Sequence, residues 1–440
     1  MSTHVRQRAW IFAALLIAVV STRSSFAAAT LPQLRAADLA LKGRDVAHGQ
    51  RLRVTGIELP ATDETLALDV ERFEVFAPDA EIVVHGAKGV TKLKAPANAY
   101  FRGGVEGEPG SRVFLEVLAG GQTRGMIVRP GDDTYLLDSA DGLSQSAAPG
   151  RLAALRADAA LLKAGRDPWK CDEAGLPPTP RAQLPWDLLA GPDQAAALAQ
   201  SVAAAEPAAA ADAEAPQALP AYTARVAIET DYEYYTRFNS VTNATNYVGN
   251  LIGFASTIYV NEINTSLVVQ SVNLWTTSAD PWSQLNTLCG LMEFGRYWNL
   301  NRTNVSRTIA HFLSGKNLGG GIAWLGVLCS GSFGAGANCP GLPTDAPWGG
   351  GYGFSASISG TFNINSPTMM WDIMAVAHEI GHNFNSPHSH CYANVGGSAS
   401  PIDQCYGSES GCYAGAGALP GPAGTGSGTI MSYCHLVRSS

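Results

Sequence analysis

The stretch His378-Glu379-Ile380-Gly381-His382-Asn383-Phe384-Asn385-Ser386-Pro387-His388 gathers three imidazoles and one carboxylate. Histidines four residues apart share one face of an α-helix. His388 stands six residues after His382 and can return to the same point only if the chain turns sharply between them. Three imidazoles suit a divalent ion such as Zn²⁺. A set of three protein ligands leaves a fourth position open, which separates a catalytic zinc site from a structural one. Glu379, next to the first histidine, is placed to take a proton from water in that position.

The flanking residues supply the elements this geometry needs. Ser366-Pro367 reads as an N-cap followed by proline at the first helical position. Met370, Ile373, Met374, Ala377, Ile380 and Phe384 recur at helical spacing, so a helix is expected from about Pro367 to Asn383. Asn383 and Asn385 then favour a left-handed turn, and Pro387 fixes the exit before His388. His390 is read as a solvated loop residue, because its spacing from His388 suits the same ion poorly.

These residues resemble the metzincin signature HExxHxxGxxH, with His378, His382 and His388 matching the metal ligands and Glu379 the general base. Gly428-Thr429-Ile430-Met431-Ser432-Tyr433 is similar to the methionine turn of that group, with Met431 as its methionine. Glu-Ile-Gly-His-Asn-Phe looks most like the reprolysin (adamalysin, ADAM-like) branch. The chain departs from the pattern twice: Asn385 replaces the glycine, and Ser389 stands where reprolysins usually carry aspartate. Tyr433 resembles a tyrosine that astacins and serralysins place near zinc, although an aromatic packed in the turn is the preferred reading. Gly319 to Gly326 looks like the edge strand lining a metzincin cleft. Gly321, Ile322, Ala323, Trp324 and Leu325 would then bind an extended peptide as an added strand. An ordinary glycine-flanked strand explains that segment equally well.

The resemblance implies an α/β fold: a twisted mixed sheet with helices and a loop-rich lower subdomain, preceded by a β-rich propeptide domain. Residues 1–29 read as a secretory signal, with Arg6 and Arg8 before an apolar run and small residues at Ala27 to Ala29. Residues 30–186 read as the β-rich propeptide and 187–220 as an Ala/Pro-rich linker. Residues 221–440 read as the metallopeptidase domain, with Ala224 to Glu229 as its first strand. Helices are expected over Thr242 to Asn261 and Trp282 to Trp298, with a strand over Ser266 to Leu274. Only nine residues follow Met431, where family members continue through a pocket wall and a final helix. A fragment or an unusually open pocket is therefore expected.

A net charge of -8 and the lack of a basic face argue against nucleic-acid partners. No later stretch is apolar for long enough to span a membrane, so none is expected once the signal is cleaved. Of the 8 cysteines, all but Cys171 lie in the C-terminal half, which in a secreted chain points to disulfides. Proximity suggests Cys329 with Cys339, while Cys391, Cys405, Cys412 and Cys434 are expected to staple the region after His388. Cys171 resembles the cysteine switch of related propeptides, a thiolate in the fourth zinc position. Parity leaves a disulfide for Cys171 open as the alternative.

The function read from all this is a secreted zinc endopeptidase made as a zymogen. It would use one catalytic Zn²⁺, act on protein or peptide substrates and be inhibited by its own propeptide. No calcium site is indicated. The alternative is a catalytically inactive zinc-containing binding or adhesion module.

Overall fold

Short alternating runs separated by glycine-bearing turns build the first part of the chain. The strands there are β1 (Gln33–Arg35), β2 (Arg51–Leu59), β3 (Glu64–Phe73), β4 (Phe76–Gly86), β5 (Gly89–Lys94), β6 (Ala99–Val105), β7 (Arg112–Val117), β8 (Thr123–Arg129), β9 (Asp133–Asp138) and β10 (Ala153–Arg156). Eight of them form one sheet in the order β1-β2-β3-β6-β7-β8-β9-β10, antiparallel except for the β1–β2 pair. One face of this sheet closes on Val54, Leu68, Phe101, Leu115 and Leu137, all buried, as strand alternation predicts. The computed structural model describes residues 31–59, 62, 64–131, 133–139, 152–157, 170–171, 176, 220–334, 338–343, 347–360, 362–363, 368–392, 400–421 and 428–437. The expected signal peptide, nearly all of the expected linker, and the Ser366-Pro367 cap lie outside the described residues.

The second sheet carries the site. Its further strands are β11 (Lys170–Cys171), β12 (Tyr222–Thr230), β13 (Thr265–Trp275), β14 (Ile309–Leu313), β15 (Gly320–Ala323) and β16 (Tyr352–Ser355). The order is β11-β15-β16-β14-β12-β13-β4-β5. The central strands run parallel, and β14 and the last five residues of β12 are buried at every position, the pattern of strands covered on both faces. Only β15–β16 and β4–β5 are antiparallel within it. The hairpin β4–β5 belongs by sequence to the β-rich N-terminal region, yet β4 pairs with β13 in parallel. At the opposite edge, β11 pairs in parallel with β15, matching Lys170 to Gly320 and Cys171 to Gly321.

Among the described residues, three helices of 15 residues or more pack on this sheet. Val241–Ile263 starts at Ser240, whose hydroxyl accepts from Asn243 N–H, and ends at Asn264 in the left-handed conformation. Thr287–Asn301 starts later than the apolar spacing suggests, because Asn286 accepts from Cys289 N–H at 2.8 Å and so fixes the first turn. Met369–Asn383 carries the histidines. Its Ile373, Val376 and Ile380 share one core with Val248, Leu251 and Ile252 of the long helix and with Phe76, Tyr100 and Phe114 of the N-terminal strands. Among the described residues, no helix is long and apolar enough to cross a membrane.

Candidate metal centre

The helix Met369–Asn383 is anchored at both ends. Near its start, the buried Asp372 carboxylate accepts from Tyr247 Oη at 2.6 Å, Ser359 N at 2.8 Å and Gly360 N at 3.1 Å. At its end, Asn383 Nδ2 donates to Trp324 O and Tyr352 O, both at 2.9 Å, which ties the helix to the β15–β16 pair. Asn385 takes a left-handed φ of 73°, the turn expected of it. Gly326 N–H donates to His382 O and Val327 N–H to Asn383 O, satisfying carbonyls that a helix end leaves open.

The turn at Asn385 returns the chain so that His378, His382 and His388 meet. All three are buried. Each Nδ1 is spoken for: that of His378 donates to Ile430 O, that of His382 to Ser386 O and that of His388 to Glu409 Oε2, all at 2.8 Å. An oxygen acceptor requires the proton on Nδ1, so each Nε2 presents a lone pair. His378 Nε2 and His382 Nε2 stand 3.0 Å apart. Two bare nitrogens repel at that distance unless a cation lies between them. Burial, aided by mutual repulsion, holds His378 well below the ordinary histidine range; burial and then His388 bring His382 to about 3. Both are therefore neutral at pH 7, the form that binds metal.

Cys171 completes the cluster. Its Sγ lies 3.7 Å from His382 Nε2 and 3.5 Å from Glu379 Oε2. The Sγ and one nitrogen of each histidine all fall within 4.8 Å of one another. Nitrogen and sulfur donors in that number suit zinc, and removal of the thiol would leave three donors with one position open. Cys171 is not disulfide-bonded. Its backbone is held by Tyr433, whose hydroxyl accepts from Cys171 N–H at 3.1 Å and contacts Cys171 O at 3.2 Å. The Tyr433 ring packs in the turn as expected, but it also lies 4.5 Å from the His388 ring and 6.1 Å from that of His378.

Glu379 is fully buried beneath β15. A Cβ on Gly321 would lie 2.4 Å from Glu379 Oε1, so any larger residue there would force the carboxylate to move. Met431 sits under the helix: a Cβ on Gly381 would come within 2.4 Å of its Sδ. The expected edge strand ends at Ala323 rather than Leu325. Trp324 N still donates to Tyr352 O, but Gly326 at φ 67° turns the chain away to cap the helix.

Two expectations are corrected. His390 is buried, not solvated, and its Nε2 donates to Glu409 Oε2 at 2.8 Å. Cys339 pairs with Cys289, not Cys329; Cys339 is buried against the Thr287–Asn301 helix, while Cys329 is exposed on a turn of positive φ. The remaining pairs are Cys391–Cys412 and Cys405–Cys434. The first brings Glu409 to His388. Partial burial alone would raise the Glu409 carboxyl, but hydrogen bonds from His388 and His390 outweigh it and hold the group at about 2. Glu409 escaped the sequence reading because no motif spacing links it to His388; only the cysteine pairing does.

Residues 221–436 match the family model Reprolysin_5, described as metallo-peptidase family M12. No curated protein matches the chain in sequence. Among solved structures, the crystal structure of metalloproteinase-II from Bacteroides fragilis is similar at a TM-score of 0.39 and 11% identity. That likeness covers 84% of this chain and 92% of that one.

Proposed function

We propose that this chain, whose residues 221–436 belong to metallo-peptidase family M12, is a secreted zinc endopeptidase held latent by its own N-terminal region. Zinc use and peptide substrates follow from the family. The finer reading rests on one observation above the others: three imidazoles with fixed tautomers, and the Cys171 thiol, gathered at one point.

His378, His382 and His388 would hold the ion through Nε2. Zinc bound there would supply a Lewis acid for the scissile carbonyl and the attacking water. Glu379 takes the proton of that water and returns it to the leaving amine. Its dry position under β15 strengthens its interaction with nearby charge. Met431 fills the space beneath Gly381 and keeps the helix from settling. Cys171 occupies the space beside Glu379 and His382 that the water needs, and β11 occupies the edge of β15 that a substrate would pair with. Both blocks belong to the same short strand, which supports latency through one displaceable segment. The three disulfides and the absence, among the described residues, of a membrane-crossing helix are compatible with secretion.

A casein digest by matured protein, with and without chelator, tests the reading. Activity should vanish with chelator and return with Zn²⁺. Glu379→Gln should keep the fold and the bound metal while losing roughly 10²-fold or more in kcat. Full activity in that variant would overturn Glu379 as the base. No observation favours the inactive-module alternative, since Glu379 and all three histidines come together.

A further inference from the structure

The hairpin β4–β5 comes from the N-terminal region yet completes the sheet that carries the histidine cluster. Its pairing with β13 runs from Phe76 opposite Val269 to His85 opposite Trp275. Val269 N–H donates to Val75 O at 2.7 Å, and Thr276 N–H to His85 O at 3.0 Å. Without β4, that edge of β13 would present a row of unpaired backbone groups. The neighbouring helix Val241–Ile263 is shaped for the same partner. Gly249 and Gly253 lie about one turn apart; a Cβ on the first would stand 2.4 Å from Tyr100 Oη, and on the second 2.6 Å from the Phe114 ring. Any larger residue at either position would push the N-terminal sheet away. Polar groups fix the register: Asn98 Nδ2 donates to Asn246 Oδ1 at 3.0 Å, and Arg112 pairs with Glu262 at 3.2 Å.

We propose that residues 32–157 are a separable partner of residues 220–437, docked without covalent help on the β13 edge and the Gly249–Gly253 notch. Cutting the connecting segment, residues 177–219, then leaves a nicked complex and not a released enzyme. The latency consequence rests on the peptidase reading above. Cys171 precedes that segment, so the nicked N-terminal piece still delivers its thiol to the histidines. Opening the site requires stripping or digesting the docked piece as a second event. The long strand ladder and the aromatic side chains buried in the joint make spontaneous release unfavourable.

The test nicks the purified full chain with a low dose of a broad-specificity protease, in chelator, and stops the digestion. Mass spectrometry confirms a cut within 177–219. The two pieces should co-elute from a sizing column in native buffer and separate only in urea. Hydrogen exchange should show the amides of Val269 to Trp275 as protected in the nicked sample as in the intact chain. Separation in native buffer, or loss of that protection, overturns the proposal. Gly253→Leu should raise the separated fraction roughly tenfold. If that variant fails to fold, Phe114→Ala in the N-terminal piece is read the same way. A folded variant with unchanged co-elution refutes the notch. Activity is read apart from docking: co-elution with no activity after stripping sinks only the peptidase reading, while native separation with activity sinks only the docking.

Discussion

Two carboxylates border the histidine cluster and differ in what they touch. Glu379 lies against β15 and the Cys171 thiol, whereas Glu409 joins His388 and His390 through a single oxygen. A carboxylate behind a ligating imidazole orients the ring and raises its basicity. Glu409→Ala should therefore weaken metal binding by about 10–100-fold, read by competition with a chromophoric chelator. Glu409→Gln, which keeps an acceptor, should fall between. An unchanged affinity in both would remove Glu409 from the site. The sign of its pH effect follows from its lowered pKa. The stabilisation is present above the ordinary glutamate range and is lost as pH falls towards about 2. Sequence spacing made the three histidines and Glu379 legible, because four residues on a helix and one sharp turn are local facts. It hid Glu409 and the burial of His390, because both depend on a disulfide closing 21 residues of loop.

At the scale of elements, β15 passes so close to the helix Met369–Asn383 that Gly321 leaves no room for a methyl group beside the Glu379 side chain. Gly321→Ala would put a Cβ against the side chain of Glu379, itself walled in by the helix. The carboxylate must shift, and a displacement near 1 Å costs on the order of 10²-fold in rate. The expected result is a fall in kcat with metal content unchanged by elemental analysis. Normal kcat would show that the strand does not set the position of the carboxylate. Element types were largely readable: the helices over Val241–Ile263 and Met369–Asn383 and the strands β12 and β13 appear close to where periodicity and caps put them. What periodicity could not show is which strands become neighbours. The pairing of β4 with β13 joins residues nearly two hundred positions apart, and nothing in either run of apolar residues names the other.

At the scale of the whole molecule, the N-terminal sheet and the Val241–Ile263 helix share one core, and a buried acid at that joint should make it sensitive to pH. Glu116 on β7 accepts from Asn250 Nδ2 at 3.4 Å, while Glu116 Oε2 and Asn250 Oδ1 are both buried without a hydrogen-bond partner. A proton on Oε2 would supply the missing donor, so the neutral acid fits this place better than the carboxylate. Burial accordingly pushes Glu116 up to about 7, against the opposing pull of Arg124 and Asn250 and with a small push from Asp138. A folded pKa above the unfolded one means that stability is full below about 4.5 and is lost as pH rises through about 7. A rise of that size corresponds to about 3 kcal/mol. Asp231 at about 6 and Glu229 at about 8 act in the same direction elsewhere in the fold. The informative measurement is therefore a difference between two proteins. Glu116→Gln mimics the protonated acid, so urea unfolding should find it close to the wild type at pH 4.5 and more stable by up to about 3 kcal/mol at pH 8. An equal gap at both values would mean that Glu116 keeps its charge in the folded chain, and the joint would then need another explanation for any loosening in alkali.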